Sequence, residues 1–316
     1  MAKQLESIIV GVDTSKAKLD IYRADTETSH VINNDQDAIE SFVKALPAET
    51  LIAIEATNRF HESFVAAALA RNLVVYVVDA RRLSHYRTAV GVRAKTDLND
   101  AVLAARYLAA ERHNLRPFVA QNPEATQVWQ LILRRSKLVK ARTSIKQTLA
   151  NLDVVIDDVA AAMEALDKLI NTLEREAYKL ATQLGWREDI ARVQAMPGVG
   201  RLTALALVLV FHRHPFRSAD AYVAFMGLDV RVRDSGKFKN KRKLTKMGAP
   251  EFRRLLFLAG RSARLNTPEV FGECFERQIA NGKSKTAADI TVGRKIARIA
   301  FSLLKNETQY QPKMAA

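Results

Sequence analysis

Short apolar runs in the first eighty residues constrain this chain more than any other feature. "SIIVGVD", "LIAIE" and "LVVYVV" are too short and too rich in Val and Ile for buried helices, and turn or helix signals separate them. "SIIVGVDTS", "AKLDIYRAD" and "SHVINN" read as three strands with tight connections. "DQDAIESFVKAL" follows as a helix with an Asp near its start, then "TLIAIEA" as a strand, "HESFVAAALARN" as a helix and "LVVYVVDA" as a strand. A three-strand meander followed by alternating helix and strand predicts a mixed sheet with helices packed on it. From about Asp97, "DLNDAVLAARYLAAE" has the apolar spacing of a helix lying against that sheet.

After Asn122 the pattern changes. Ile145, Leu149, Leu152, Ile156, Val159, Met163, Leu166, Ile170, Leu173, Ala177 and Leu180 succeed one another at strictly alternating spacings of four and three. That repeat predicts a coiled coil and, through it, self-association; the competing reading is a hairpin packing on its own chain, with "NLDVVIDD" as the bend. Past Trp186 the chain reads as mostly helical. "VQAMPGVGRLTALALVLV" sets Gly198 and Gly200 in a turn between two helices, the pattern of a helix-hairpin-helix whose turn N–H groups accept a phosphate. A glycine-capped turn between core helices is the bland reading of the same residues. The expected domains are 1–120, an α/β sheet domain; 121–185, the coiled coil; 186–306, a mostly α-helical C-terminal domain; and 307–316, a tail.

The net charge of +15 points to a polyanionic partner. Lys and Arg balance Asp and Glu over residues 1–120 but outnumber them 19 to 6 over 231–305, so the basic C-terminal third is the expected polynucleotide surface. No apolar run approaches the ~18 residues of a membrane span, and the N-terminus lacks the pattern of a signal peptide, so a cytoplasmic protein without membrane contact is expected. The single cysteine, Cys274, excludes an internal disulfide and a Cys-rich zinc site.

Four acids stand where metal chemistry wants them. Asp13 ends the first strand, Glu55 ends "LIAIE", and Asp97 and Asp100 fall three apart at the start of a helix and so share a face. Gathered carboxylates repel unless a cation relieves them, and two-metal cleavage of phosphodiesters needs such a cluster. Each acid taken alone is as well explained as a turn residue or helix cap. In "RDSGKFKNKRKL", Ser235 lies between Asp234 and a run of Lys and Arg, either as a nucleophile or as a polar residue against phosphate. "HRH", at His212 and His214, has the look of a metal pair but lacks a third ligand nearby. His61 and His85 are weak candidates for proton carriers.

The sheet order is that of ribonuclease H-like domains. "GVDTSKAKLDIY", "IEATNRFHESF", "VVDARRLSHYRTAVGVRAKTDLNDAVLAARYL", "MPGVGRLTALAL" and "DSGKFKNKRKLTKMGAPEFRRLLFLAG" succeed one another in this chain. Together they resemble the DEDD transposases of the IS110 family, described as RNA-guided bridge recombinases, over nearly the whole length. The resemblance implies a RuvC-like N-terminal domain joined through a coiled coil to a C-terminal transposase domain. It implies an acidic tetrad at Asp13, Glu55, Asp97 and Asp100 that holds Mg²⁺ in two-metal fashion, with Mn²⁺ able to substitute. It implies that Ser235 attacks a phosphodiester to form a phosphoserine link, that a bridge RNA pairs with donor and target DNA, and that strands exchange through a Holliday junction. The active site is then composite, the tetrad of one protomer meeting the serine of another in a dimer or tetramer.

On that reading Arg233, Lys237, Lys239, Lys241, Arg242, Lys243 and Lys246 steer phosphate around Ser235. Arg81, Arg82, Arg87, Arg93 and Lys95 form a second basic segment beside the tetrad, suited to RNA or DNA backbone. Two other functions compete with it. One is a metal-dependent, structure-selective nuclease without a covalent intermediate, and the other is a nucleic-acid-binding protein whose acids are structural.

Overall fold

Two compact units, residues 1–120 and 121–316, divide the chain in the computed structural model. It describes residues 8–312 except 57–58, 93–96, 151, 153–154, 232–233, 236–237 and 240–242, and of 231, 234, 235, 238 and 239 the backbone alone.

The first unit is built on a five-stranded sheet in the order β3-β2-β1-β4-β5, formed by β1 (Ile9–Thr14), β2 (Lys18–Arg23), β3 (Thr28–Asn33), β4 (Leu51–Glu55) and β5 (Val74–Val78). β2 lies between β1 and β3 and runs antiparallel to both, whereas β4 runs parallel to β1 and β5 parallel to β4. Period-two alternation sorts their side chains. Val10, Val12, Ile52 and Ile54 pack in one cluster with Ile39 and Val43 of α1 (Gln36–Lys44) and Phe64 and Val65 of α2 (Glu62–Ala70). Leu51 and Ala53 join the opposite cluster, with Leu83 of α3 (Ala80–Ala89) and Ala104 and Leu108 of α4 (Asp97–Glu111). This mixed sheet with helices fits the ribonuclease H-like first domain read from the sequence.

α4 comes unusually close to the sheet. A Cβ on Gly11 would stand 2.0 Å from the Ala101 carbonyl oxygen and 2.7 Å from the Ala105 N–H nitrogen, so only glycine lets β1 and α4 touch backbone to backbone. The small residues Ala101, Ala104 and Ala105 complete that contact, all buried. α3 carries no apolar periodicity, since Leu83 is its one buried side chain, and its polarity hid it among the basic residues of the sequence.

In the second unit the expected continuous heptad seam is broken. α5 (Pro123–Thr148) stops and α6 (Ile156–Gln183) begins, and the two pack on each other as a hairpin. Arg135 pairs with Glu174 at 2.6 Å and Arg142 with Asp167 at 2.7 Å, a descending register that makes the helices antiparallel. "LANLDVV" supplies the break, with β-branched and Asn/Asp residues where a helix needs strong formers. The hairpin is also not separate from the later helices. Ala125, Val128, Ile132, Ala177, Tyr178 and Ala181 share one core with them, so residue 185 is not a boundary between compact units.

That core is completed by α7 (Arg187–Gln194), α8 (Arg201–Arg213), α9 (Ala219–Phe225), α10 (Pro250–Asn266), α11 (Pro268–Ala280) and α12 (Lys285–Asn306). Glu251 of α10, 2% exposed, accepts from Ser136 of α5 at 2.8 Å and pairs with Arg254 at 2.6 Å. The basic segment is not a plain loop. Val230–Arg231 pairs antiparallel with Lys243–Leu244, and Asp234–Ser235 pairs antiparallel with Phe238–Lys239. These ladders are two residues deep, too short to show in the sequence as strands.

Candidate active site

The alternation that buries Val12 and Ile54 on one face of the sheet turns Asp13 and Glu55 to the other. They come just after the paired residues Val12 and Ile54, at the same ends of parallel neighbours. The face they share is the one α4 covers, and α4 begins with Asp97 and Asp100 in its first turn. The close approach at Gly11, two residues before Asp13, brings the sheet acids near the helix acids. Four carboxylates from three elements are thereby drawn together.

Their proximity is visible in the acidity of Asp13. Its carboxyl is pushed up to about 6, first by burial and then by the negative charges of Glu55, Asp100 and Asp97, against a smaller opposing hydrogen bond from the Thr14 N–H. Two side-chain cations answer part of that charge. Arg87 of α3 pairs with the buried Asp100, and Lys18 of β2 bridges Asp97 at 3.0 Å and Asp20 at 3.2 Å. Asp20 is itself buried and sits directly across the ladder from Asp13. Sequence reasoning missed Asp20 and Lys18, although the alternation of "KLDIY" places both on the face of Asp13.

The donor set suits a hard divalent cation, being all carboxylate oxygen with uncompensated charge around Asp13. Among the described residues, however, no group of three or more His, Cys, Asp or Glu closes around one ion. Asp97 and Asp100 are instead engaged by Lys18 and Arg87. The four acids therefore converge electrostatically without forming a finished coordination shell.

The remaining candidates fall as follows. Arg81 and Arg82 are exposed on α3, Arg81 donating its backbone N–H to the cap residue Asp79 at 2.9 Å. Arg87 is committed to Asp100 rather than open to phosphate. Arg93, Lys95, Arg233, Lys237, Lys241 and Arg242 lie outside the described residues, and Ser235 and Lys239 are described by backbone alone. Lys243 and Lys246 are exposed.

The two glycines of the turn before α8 divide their roles. Gly198 is left-handed, with φ +75°, and a Cβ there would meet the backbone of Ala259 and Ala263 in α10 within 2.6 Å, so its glycine serves packing. Gly200, with an ordinary φ of −75°, faces open space. His212 of the "HRH" pair stacks on Trp186 and contacts Asp189 at 2.8 Å, which accounts for it without a metal.

Two family models match successive stretches of the chain, the first of them running past residue 120 into α5. The IS110 DEDD model, described as "Transposase", matches residues 10–154, which include the whole tetrad. A second, described as "Transposase IS116/IS110/IS902 family", matches residues 190–273, which include Ser235. The "Pilin gene-inverting protein" of Moraxella lacunata is 24% identical over 96% of this chain and 98% of its own length. The "Transposase for insertion sequence element IS1111A" of Coxiella burnetii is 25% identical over 69% of this chain and 68% of its own. Among solved structures, RuvC of Thermus thermophilus aligns with 35% of this chain and 99% of its own, at 13% identity and a TM-score of 0.28. Strand order, and not that alignment, is what supports the fold comparison. With both stretches matching one family and whole-length relatives behind them, the chain belongs to the IS110/IS116/IS902 family of transposases.

Proposed function

We propose that this transposase cuts and exchanges DNA strands at a centre whose acidic half is Asp13, Glu55, Asp97 and Asp100 and whose nucleophile is Ser235. The observation that carries the reading is the convergence of the four acids, with Asp13 held at about 6 by burial first and then by the charges of the other three. Carboxylates gathered at this cost to stability are characteristic of functional sites. Asp13 and Glu55 present oxygen from rigid strand ends, and Asp97 and Asp100 from one helical face. Lys18 and Arg87 neutralise the helix acids, and Asp97 and Asp100 would have to part from them to hold a divalent cation. Mg²⁺, when bound there, supplies charge stabilisation to the reacting phosphate and activates the attacking oxygen.

Ser235 Oγ bonds to phosphorus as the ester bond to the sugar breaks. The serine proton is given up, and the departing sugar oxygen takes one. Lys237, Lys239, Lys241, Arg242 and Lys243 offset the charge of the phosphate beside it. A guide RNA pairing with donor and target DNA, a junction intermediate and a site shared between protomers complete the reading on family resemblance. The relatives named for gene inversion and for transposition support strand exchange as the outcome.

One observation favours a second reading. All four acids lie within the first unit, so that unit alone holds the groups of a metal-dependent junction nuclease, with Ser235 binding phosphate only. Glu55→Gln and Asp100→Asn, assayed for strand exchange on supercoiled plasmids with Mg²⁺, are expected to lose activity by about 10²-fold or more. Retained exchange in both would remove the acids from the mechanism. Guidance is tested separately by digesting copurified RNA before the assay, and undiminished exchange would contradict it.

A further inference from the structure

The second unit carries two adjoining depressions outside the basic segment. They are about 550 Å³ and 340 Å³ in volume and share Tyr178, Thr182 and Arg201 in their walls. The first also contains Arg175 and Lys179 of α6, and the second Arg187 of α7. Four exposed cations thus face one groove. Its one carboxylate, Glu174, is taken by Arg135 of α5 at 2.6 Å. Glu176, outside the groove walls, reaches Arg175 only at 3.9 Å. Among the described residues, no acid other than Glu174 lines the groove.

Two further features mark the place as built for a ligand. Arg201, the first residue of α8, lies with its guanidinium 3.8 Å from the centre of the Tyr178 ring, so its side chain is held by stacking and its charge is left for a partner. Tyr178 is 7% exposed, and its hydroxyl is buried with no hydrogen-bond partner among the described residues. That hydroxyl is closed off from solvent, so what Tyr178 gives the groove is the ring on which Arg201 is held. Beside them, the 13-residue helix α8 starts without a side-chain cap, at Gly200, around which a Cβ would meet nothing within 4 Å.

We propose that the groove between α6, α7 and the start of α8 seats the phosphodiester backbone of DNA, through Arg175, Lys179, Arg187 and Arg201. Because the two depressions share a wall, the cations of each meet neighbouring phosphates of one strand, and the contact is independent of sequence. It anchors DNA at a second place, apart from the Lys- and Arg-rich segment around Ser235. The inference rests on the family's DNA substrate and on neither the serine nor a guide RNA.

The test is fluorescence anisotropy of the full chain with a labelled DNA duplex, titrated at several NaCl concentrations. Lys179→Ala/Arg187→Ala removes two exposed cations from helix surfaces, and circular dichroism verifies that the fold is kept. Lys137→Ala/Lys168→Ala removes the same charge from exposed positions of the hairpin outside the groove. The groove variant is expected to bind about 10-fold more weakly at 0.1 M salt, with the slope of log K against log salt smaller by about 2, roughly one unit for each phosphate no longer held. The control variant is expected to change neither by more than a small fraction of that. Equal weakening in the two variants, or an unchanged slope in the groove variant, would overturn the proposal. So would a loss confined to an RNA of equal length.

Discussion

Replacing Asp13 with Asn should make the first unit more stable at neutral pH while abolishing strand exchange. Asp13 titrates at about 6 in the fold, against 3.8 for an unperturbed Asp. A carboxyl raised on folding adds stability below the unfolded value, and that stability is lost as pH rises through about 6; above it, the ionised group is a net cost. Taken at face value the difference is about 3 kcal/mol, at ~1.4 kcal/mol for each tenfold change in acidity. Asp13 is only half-buried, and solvent screening reduces this to about 1–2 kcal/mol.

Asparagine keeps the size and loses the charge. The gain at pH 7.5 without divalent cation should therefore be about 1–2 kcal/mol, on the order of 5 °C in Tm for a unit of this size, and it should largely vanish at pH 4. Both tryptophans, Trp129 and Trp186, belong to the second unit. Far-UV circular dichroism then reports the shift, while tryptophan fluorescence should keep its midpoint. A variant less stable than the parent at pH 7.5, or equally stabilised at pH 4, would refute the claim that neighbouring charge and burial set the acidity of Asp13.

Other perturbations probe other parts of the molecule. Gly11→Ala drives a methyl into the Ala101 carbonyl, and should cost about 3 kcal/mol or more and lower exchange activity by displacing α4, measured by urea unfolding and plasmid assay. Arg87→Ala leaves Asp100 buried without its cation; a loss of about 3 kcal/mol without Mg²⁺ is expected, with a larger thermal rise on adding Mg²⁺ than the parent shows. Glu251→Ala removes the buried acceptor of Arg254 and Ser136, and should destabilise the second unit by about 3 kcal/mol, read from tryptophan fluorescence, while leaving the Asp13 unit unchanged.

The first unit was legible from sequence because its signals are local. Strands of β-branched residues and helices with one apolar stripe give the order of elements, and alternation alone places Asp13 and Glu55 on a shared face. α3 was not legible, since a helix with one buried residue leaves no period to read. The heptad spacing from Ile145 to Leu180 was legible as helix, but it left self-association and a hairpin bent at "NLDVVIDD" both open. Spacing says which residues share a face and is silent on whether the chain turns back within the seam.

At the site, the acids were named by their positions at element ends. Lys18 and Asp20 were not, because charges in a strand read as ordinary polar alternation until the register Asp13↔Asp20 shows what they face. Nor did the sequence separate Gly198 from Gly200, since both read as turn glycines. The backbone of α10 against one and open space against the other assign them different work.

The most direct test of a serine nucleophile is a covalent trap. Protein incubated with Mg²⁺, copurified RNA and 5′- or 3′-labelled DNA carrying an exchange site is quenched in detergent and resolved on a denaturing gel. The account predicts a labelled, protease-sensitive adduct with the wild-type chain and none with Ser235→Ala, which should also fail to exchange strands. Full strand exchange by Ser235→Ala would contradict it and leave the acids of the first unit to work alone.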